Sequence, residues 1–100
     1  MTDTLTHFIG GEAVSADPMG ESINPSNLDD VVARYPKAKV EDVDRAVKAA
    51  REAFPAWSEA SPEVRSDVLD RASNIVMQPA KELGELLSRE EGKTLAEGTG

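Results

Sequence analysis

VEDVDRAVKAAREAFPAWSEASPEVRSDVLDRAS, residues 40–73, decides the fold class. Val43, Ala46, Val47, Ala50, Phe54 and Trp57 recur there at spacings of three and four, which sets them along one side of an α-helix. Glu41, Asp42 and Asp44 fall in the first turn, where carboxylates complement the helix dipole. Lys39, at the N-cap position, is a poor cap. Pro55 lacks an N–H and is expected to end or kink this helix near Phe54. Ser61-Pro62-Glu63 opens a second helix with a capping hydroxyl, a proline at the first position and an acid behind it. Val68, Ala72, Ile75 and Val76 make its stripe.

Downstream, Pro79 breaks the pattern and starts a third helix with Leu83, Leu86 and Leu87 expected on its buried side. Gly92 is placed to end it as a C-cap. The expected helices are therefore 40–54, 62–78 and 80–91. A new segment opens after Lys93-Thr94 and reads as an element cut short at Gly98-Thr99-Gly100. Upstream the period shortens. Thr6 to Ile9 and Glu12 to Val14 flank Gly10-Gly11, a pair suited to the positive φ of a tight hairpin turn. Glu21 to Asn24 and Val31 to Tyr35 read as further strands, with Asn24-Pro25-Ser26-Asn27 as turn chemistry between them. Short strands followed by helices make an α+β chain.

Composition limits what such a chain does alone. Hydrophobic residues are 39% of the 100, but thirteen are alanine and only Phe8, Tyr35, Phe54 and Trp57 are aromatic. That is too little large apolar volume for a self-sufficient core, so the helical stripes are expected to pack on something else. Absence of cysteine excludes disulfides, thiolate metal sites and a thiol nucleophile, and agrees with a reducing cytoplasm. A net charge of −8 argues against nucleic-acid and anionic-membrane partners. No apolar run approaches the ~20 residues of a bilayer span, and MTDTLTH lacks the basic start of a signal peptide.

The motifs that suggest chemistry are weak. Gly92-Lys93-Thr94 resembles the end of a phosphate loop, but the motif's first glycine would fall on Leu87, inside an expected helix. Gly98-Thr99-Gly100 has no strand before it and lacks the third glycine of a dinucleotide turn. His7, the sole histidine, reads as a surface residue on a short strand. The neighbouring acids Asp29-Asp30, Glu41-Asp42 and Glu90-Glu91 read as solvated pairs, since adjacent helical side chains diverge by about 100°.

Taken in order, four pieces resemble the N-terminal region of the aldehyde dehydrogenase superfamily: FIGGEAV (8–14), ESINPSN (21–27), the helix pair 40–73, and KELGELLSREEGKTLAEG (81–98). The resemblance implies that residues 1–100 are an incomplete first part of an α/β cofactor domain, a β meander with three flanking helices. It implies a much longer whole, with a catalytic domain and an oligomerisation flap. That whole would oxidise a small-molecule aldehyde to an acid with NAD or NADP, through a cysteine thiolate and a hydride transfer. The family's nucleophilic cysteine, general-base glutamate, oxyanion-hole asparagine and cofactor-binding glycine turn have no counterpart in residues 1–100. No catalytic or cofactor-binding residue is assigned here, and the 100 residues alone are expected to bind no cofactor. The implied partners are the remainder of the enzyme and further copies of it. NPSNLDDVVARYP and SREEGKTLAEG are similar to bacterial 2-oxoglutarate semialdehyde dehydrogenases, although betaine-type enzymes share much of this region. Two departures are Lys39, where the family often has a capping serine, and Pro79, where a polar residue is more usual.

The resemblance also implies a monovalent cation site, with carbonyls of Ser22 or Ile23 and the carboxylate of Glu90 as ligands. A hard cation takes such oxygens. Glu90 stands where the family often has aspartate. The competing reading, from another class, is a free-standing acidic α+β module that binds a partner without catalysis.

Overall fold

The computed structural model describes residues 2–100. Five strands, β1 (Asp3–Thr4), β2 (His7–Ile9), β3 (Glu12–Val14), β4 (Met19–Ile23) and β5 (Val31–Pro36), precede four helices. These are α1 (Val40–Glu59), α2 (Pro62–Met77), α3 (Ala80–Glu91) and α4 (Leu95–Thr99). The expected order, strands and then helices, holds.

The strands divide in two instead of running as one meander. β2 and β3 form an antiparallel hairpin in register His7 to Val14, turning at Gly10 and Gly11, whose φ angles are 60° and 81°. The other three form a sheet in the order β1-β5-β4. β4 and β5 are antiparallel, whereas β1 lies parallel to β5, Asp3 opposite Ala33. β1 carries no strand signal in its sequence. Its place is held by backbone pairing, including Leu5 N–H to the Arg34 carbonyl at 2.8 Å, and by the Thr2 hydroxyl donating to the Val31 carbonyl at 2.8 Å. β5 is thereby the central strand, and it holds the chain's small core: Val32, 2% exposed, and Ala33.

α1 runs through Pro55 to Glu59, past the expected end at residue 54. Proline removes one N–H and crowds one carbonyl. Here the helix is exposed along its length, so water can take the freed Arg51 carbonyl, and the Ser58 hydroxyl donates to the Pro55 carbonyl at 3.1 Å. At the other end Lys39 makes no side-chain cap. The Asp42 carboxylate instead accepts the Lys39 N–H at 2.9 Å. α2 begins as expected, with the Ser61 hydroxyl accepting the Val64 N–H at 3.2 Å.

The buried position of α3 is Gly84, not the leucine stripe. Leu83 and Leu87 stay exposed, and only Leu86 is half-buried. Gly84 is covered by α4, a fourth helix absent from the expected set. Thr94 caps it by accepting the Glu97 N–H at 3.3 Å while the Glu97 carboxylate accepts the Thr94 N–H, also at 3.3 Å. Thr99 of α4 lies against Gly84, and Gly98 lies against Ser88, so the two helices meet at their glycines.

The molecule is open. Its radius of gyration is 16.9 Å, against about 13 Å for a compact chain of this length. α1 touches the hairpin, with Ala49 beside Gly10, and α2 packs extensively against no other element.

Candidate functional site

The loop between β4 and β5 and the end of α3 close on each other. Asn24 starts the loop: its side-chain oxygen accepts the Ser26 N–H at 2.9 Å, and its backbone N–H donates to the Asp30 carbonyl at 3.0 Å. Asp30 ends the loop, 59 residues before Arg89, and the two side chains form a bidentate pair. Arg89 Nε donates to Oδ2 at 2.9 Å and Nη2 to Oδ1 at 2.6 Å. Asn24 Nδ2 adds a third bond to Oδ2 at 3.2 Å. Charge-assisted bonds of this geometry are the strong ones. The Arg89 bonds first, and then the Asn24 bond, hold the Asp30 carboxyl down at about 2, against an ordinary 3.8. The Asp30 bond raises the Arg89 guanidinium in turn.

Gly92 completes the clasp. It ends α3 at φ 73°, and its carbonyl accepts the Ser26 hydroxyl at 2.7 Å. A Cβ on Gly92 would stand 2.6 Å from Pro25 Cγ. ESINPSN and the Glu-Gly-Lys end of α3, read separately in the sequence, are thus one structure. The reading of Asp30 as a solvated acid is corrected: it is a half-buried ion-pair partner. No local pattern carried that information, because the pairing is long-range.

Beside the clasp, between the sheet and α3, lies a half-open cavity of about 520 Å³. Val32, Ala33, Tyr35 and Leu86 supply apolar walls, and Asp3, Glu21, Ser22 and Glu90 supply oxygen. The structure therefore brings two of the three expected cation ligands, Ser22 and Glu90, to one cavity. Ile23 is outside its lining, at the point where the β4–β5 register shifts. Among the described residues no three His, Cys, Asp or Glu side chains are grouped to hold a metal ion by themselves. Any cation here would depend on backbone oxygen.

His7 differs from its expected exposure. It is half-buried, and its Nε2 is shielded without a hydrogen-bond partner, in a groove between the hairpin and α1 lined by Asp42 and Val43. Gly92-Lys93-Thr94 is a helix end and not a phosphate loop. Gly98-Thr99-Gly100 lies in and just after α4, with no strand leading into it. Neither stretch follows a strand, as the glycine turn of a dinucleotide site does. Among the described residues no helix is long and apolar enough to cross a membrane.

Residues 13–100 match the model of the aldehyde dehydrogenase family. The chain is 42% identical over 91 residues to the 2-aminomuconic semialdehyde dehydrogenase of Mus musculus, covering 91% of this chain and 18% of that one. It is 47% identical over 85 residues to the 1-pyrroline-5-carboxylate dehydrogenase of Geobacillus kaustophilus, covering 85% of this chain and 16% of that one. A crystal structure of 1-pyrroline-5-carboxylate dehydrogenase from Thermus with bound NAD superposes at a TM-score of 0.93 and 32% identity, over 98% of this chain and 19% of that one. The chain thus spans less than a fifth of the length of these relatives. With the family model matched along most of its residues, and its backbone superposing on a solved relative over nearly all of its length, the chain belongs to the aldehyde dehydrogenase family.

Proposed function

We propose that these residues are the N-terminal portion of an NAD(P)-dependent enzyme that oxidises a semialdehyde to the corresponding acid, with 2-oxoglutarate semialdehyde the first substrate to try. The family match over residues 13–100 carries this reading. A relative named for a semialdehyde supports the substrate class, and a relative with bound NAD supports the cofactor, which accepts the hydride. Residues 1–100 contribute scaffold to a cofactor domain and no reacting group. The sequence has no cysteine to attack a carbonyl, so the isolated chain should turn over no aldehyde. The complete protein is proposed to be a cytoplasmic homo-oligomer. The test is NAD+ and NADP+ reduction by the complete reading frame with 2-oxoglutarate semialdehyde, 2-aminomuconic semialdehyde and a simple aliphatic aldehyde. Preference for the aliphatic aldehyde rejects the semialdehyde reading, and no turnover of any rejects the activity.

The cavity beside the clasp is proposed as a structural monovalent-cation site. Glu90 gives the charge, and carbonyls of Ser22 or Ile23 give neutral oxygen. The presence of Ser22 and Glu90 on one cavity, with Asp3 and Glu21 adding negative potential, supports it. The complete protein's thermal stability should be higher in sodium or potassium than in choline at equal ionic strength, and Glu90→Ala should abolish the difference. Equal stability in all three salts removes the site.

A further inference from the structure

Two ties join the β4–β5 loop to the end of α3, and both fall beside residues that supply oxygen to the cavity. On the loop, Asn24 directly follows Ile23. Its Oδ1 accepts the Ser26 N–H at 2.9 Å, which turns its Nδ2 towards Asp30 Oδ2, 3.2 Å away. That same Oδ2 accepts Arg89 Nε–H at 2.9 Å, and Oδ1 accepts Nη2–H at 2.6 Å. Arg89 directly precedes Glu90. One carboxylate thus links the residue after Ile23 to the residue before Glu90. The second tie, the Ser26 hydroxyl donating to the Gly92 carbonyl at 2.7 Å, holds the chain two residues beyond Glu90. Glu90, which lines the cavity, is therefore bracketed by two fixed points. On the opposite side Ser22 pairs with Ala33 and Ile23 with Val31, so that Val32 is an extra residue interrupting the ladder. Val32 is 2% exposed, and its burial pins that irregularity in place.

We infer that Asp30 is a positioning residue for the cavity. Through Asn24 and Arg89 it fixes how far the Ser22 and Ile23 carbonyls stand from the Glu90 carboxylate, and so sets which monovalent cation is preferred there. The inference rests on the reading of this cavity as a monovalent-cation site. Hard cations are told apart by the size and rigidity of their oxygen cage. A cage whose two sides drift would close on sodium or open for potassium at little cost, and would favour neither. Here the drift is opposed by a bidentate, charge-assisted pair, whose planar fork fixes orientation as well as distance. The Arg89 and Asp30 side chains are 31% and 23% exposed, so water competes for the pair less than for one on the open surface. A tie that served only to hold α3 against the sheet would work as well at any turn of the helix. This one stands next to Glu90 at one end and next to Ile23 at the other.

The test is the thermal stability of the complete protein titrated with sodium or potassium chloride, choline chloride keeping the ionic strength constant. An ion that binds only the folded state raises the Tm with its concentration, so each titration yields an apparent Kd. In the unaltered protein the two Kd values should differ by about threefold or more, and in Asp30→Asn and Arg89→Lys they should agree within about 1.5-fold. Loss of the Asp30 charge weakens both ions alike and cancels in the ratio. Arg89→Lys keeps the charge and gives up only the fork, and it decides alone if Asp30→Asn does not fold. Ser61→Ala, which removes a cap of α2 away from the clasp, should lower the Tm in every salt and leave the ratio as it was. A ratio unchanged in the clasp variants, with the Tm lowered equally in all three salts, makes the clasp a plain structural tie and overturns the inference while the cation reading stands. A ratio near one in the unaltered protein, or one that Ser61→Ala also shifts, overturns it in the same way. Equal stability of the unaltered protein in all three salts overturns the cation reading and the inference with it.

Discussion

Asp30 and Arg89 show how a pair 59 residues apart fixes a boundary that neither residue announces. The Asp30 carboxyl is held at about 2, below its ordinary 3.8, so its stabilising contribution is complete above about pH 4 and fades as pH falls towards 2. The Tm difference between the complete protein and its Asp30→Asn variant should therefore be constant from pH 7 to pH 5 and shrink below pH 4. A difference that does not change down to pH 3 would show that the pair does not set the Asp30 titration. Gly92 can be tested in the same protein. A side chain at φ 73° costs about 1–2 kcal/mol, and here the added Cβ would also press on Pro25. Gly92→Ala should cost more than the backbone term alone, read by denaturant unfolding. A loss under 1 kcal/mol would mean that the loop yields. The glycine was legible in the sequence as a helix end. Its second role was not, because Pro25 is brought to it only by the tertiary fold.

At the scale of elements, caps and periods were the readable part. Ser61-Pro62 placed the start of α2, and the break at Pro79 placed the start of α3. Ser61→Ala should cost about 1 kcal/mol in the complete protein, through the lost Val64 bond. No measurable loss would mean that water replaces it. Pro55 misled because a proline in an exposed helix removes one bond without denying water to the carbonyl it frees. Pro55→Ala should raise stability by on the order of 1 kcal/mol, less than the ~3 kcal/mol scale for a helix interior, since only one turn follows it. A decrease would show that the proline ring packs on something in the complete protein. β1 and α4 were missed for different reasons. β1 is two residues long and owes its strand state to pairing with β5 alone. α4 has a readable signal, Thr94-x-x-Glu97, in a stretch whose glycines, Gly98 and Gly100, are poor helix formers. The proposed cation ligands rest on resemblance, with no local pattern of their own. The structure brings Ser22 and Glu90 to one cavity, and Ile23 lies outside its lining, where the β4–β5 register shifts and β5 carries the extra residue.

The molecule as a whole behaves as its composition foretells. With thirteen alanines and four aromatics it buries Val32 and Ala33 and leaves most large apolar side chains in reach of solvent. Its extents are 47 × 34 × 16 Å, the dimensions of a layer and not of a globule. A free-standing binding module would need a core to hold its surface in place, and this chain has the surface without the core. A calorimetric scan of the 100-residue chain by itself separates the two cases directly. As part of a larger folding unit, the chain should show no sharp heat-absorption peak and should bind an apolar dye before heating. A single cooperative transition with an enthalpy of about 60–80 kcal/mol, as expected of an autonomous domain of this length, and little dye binding would contradict it.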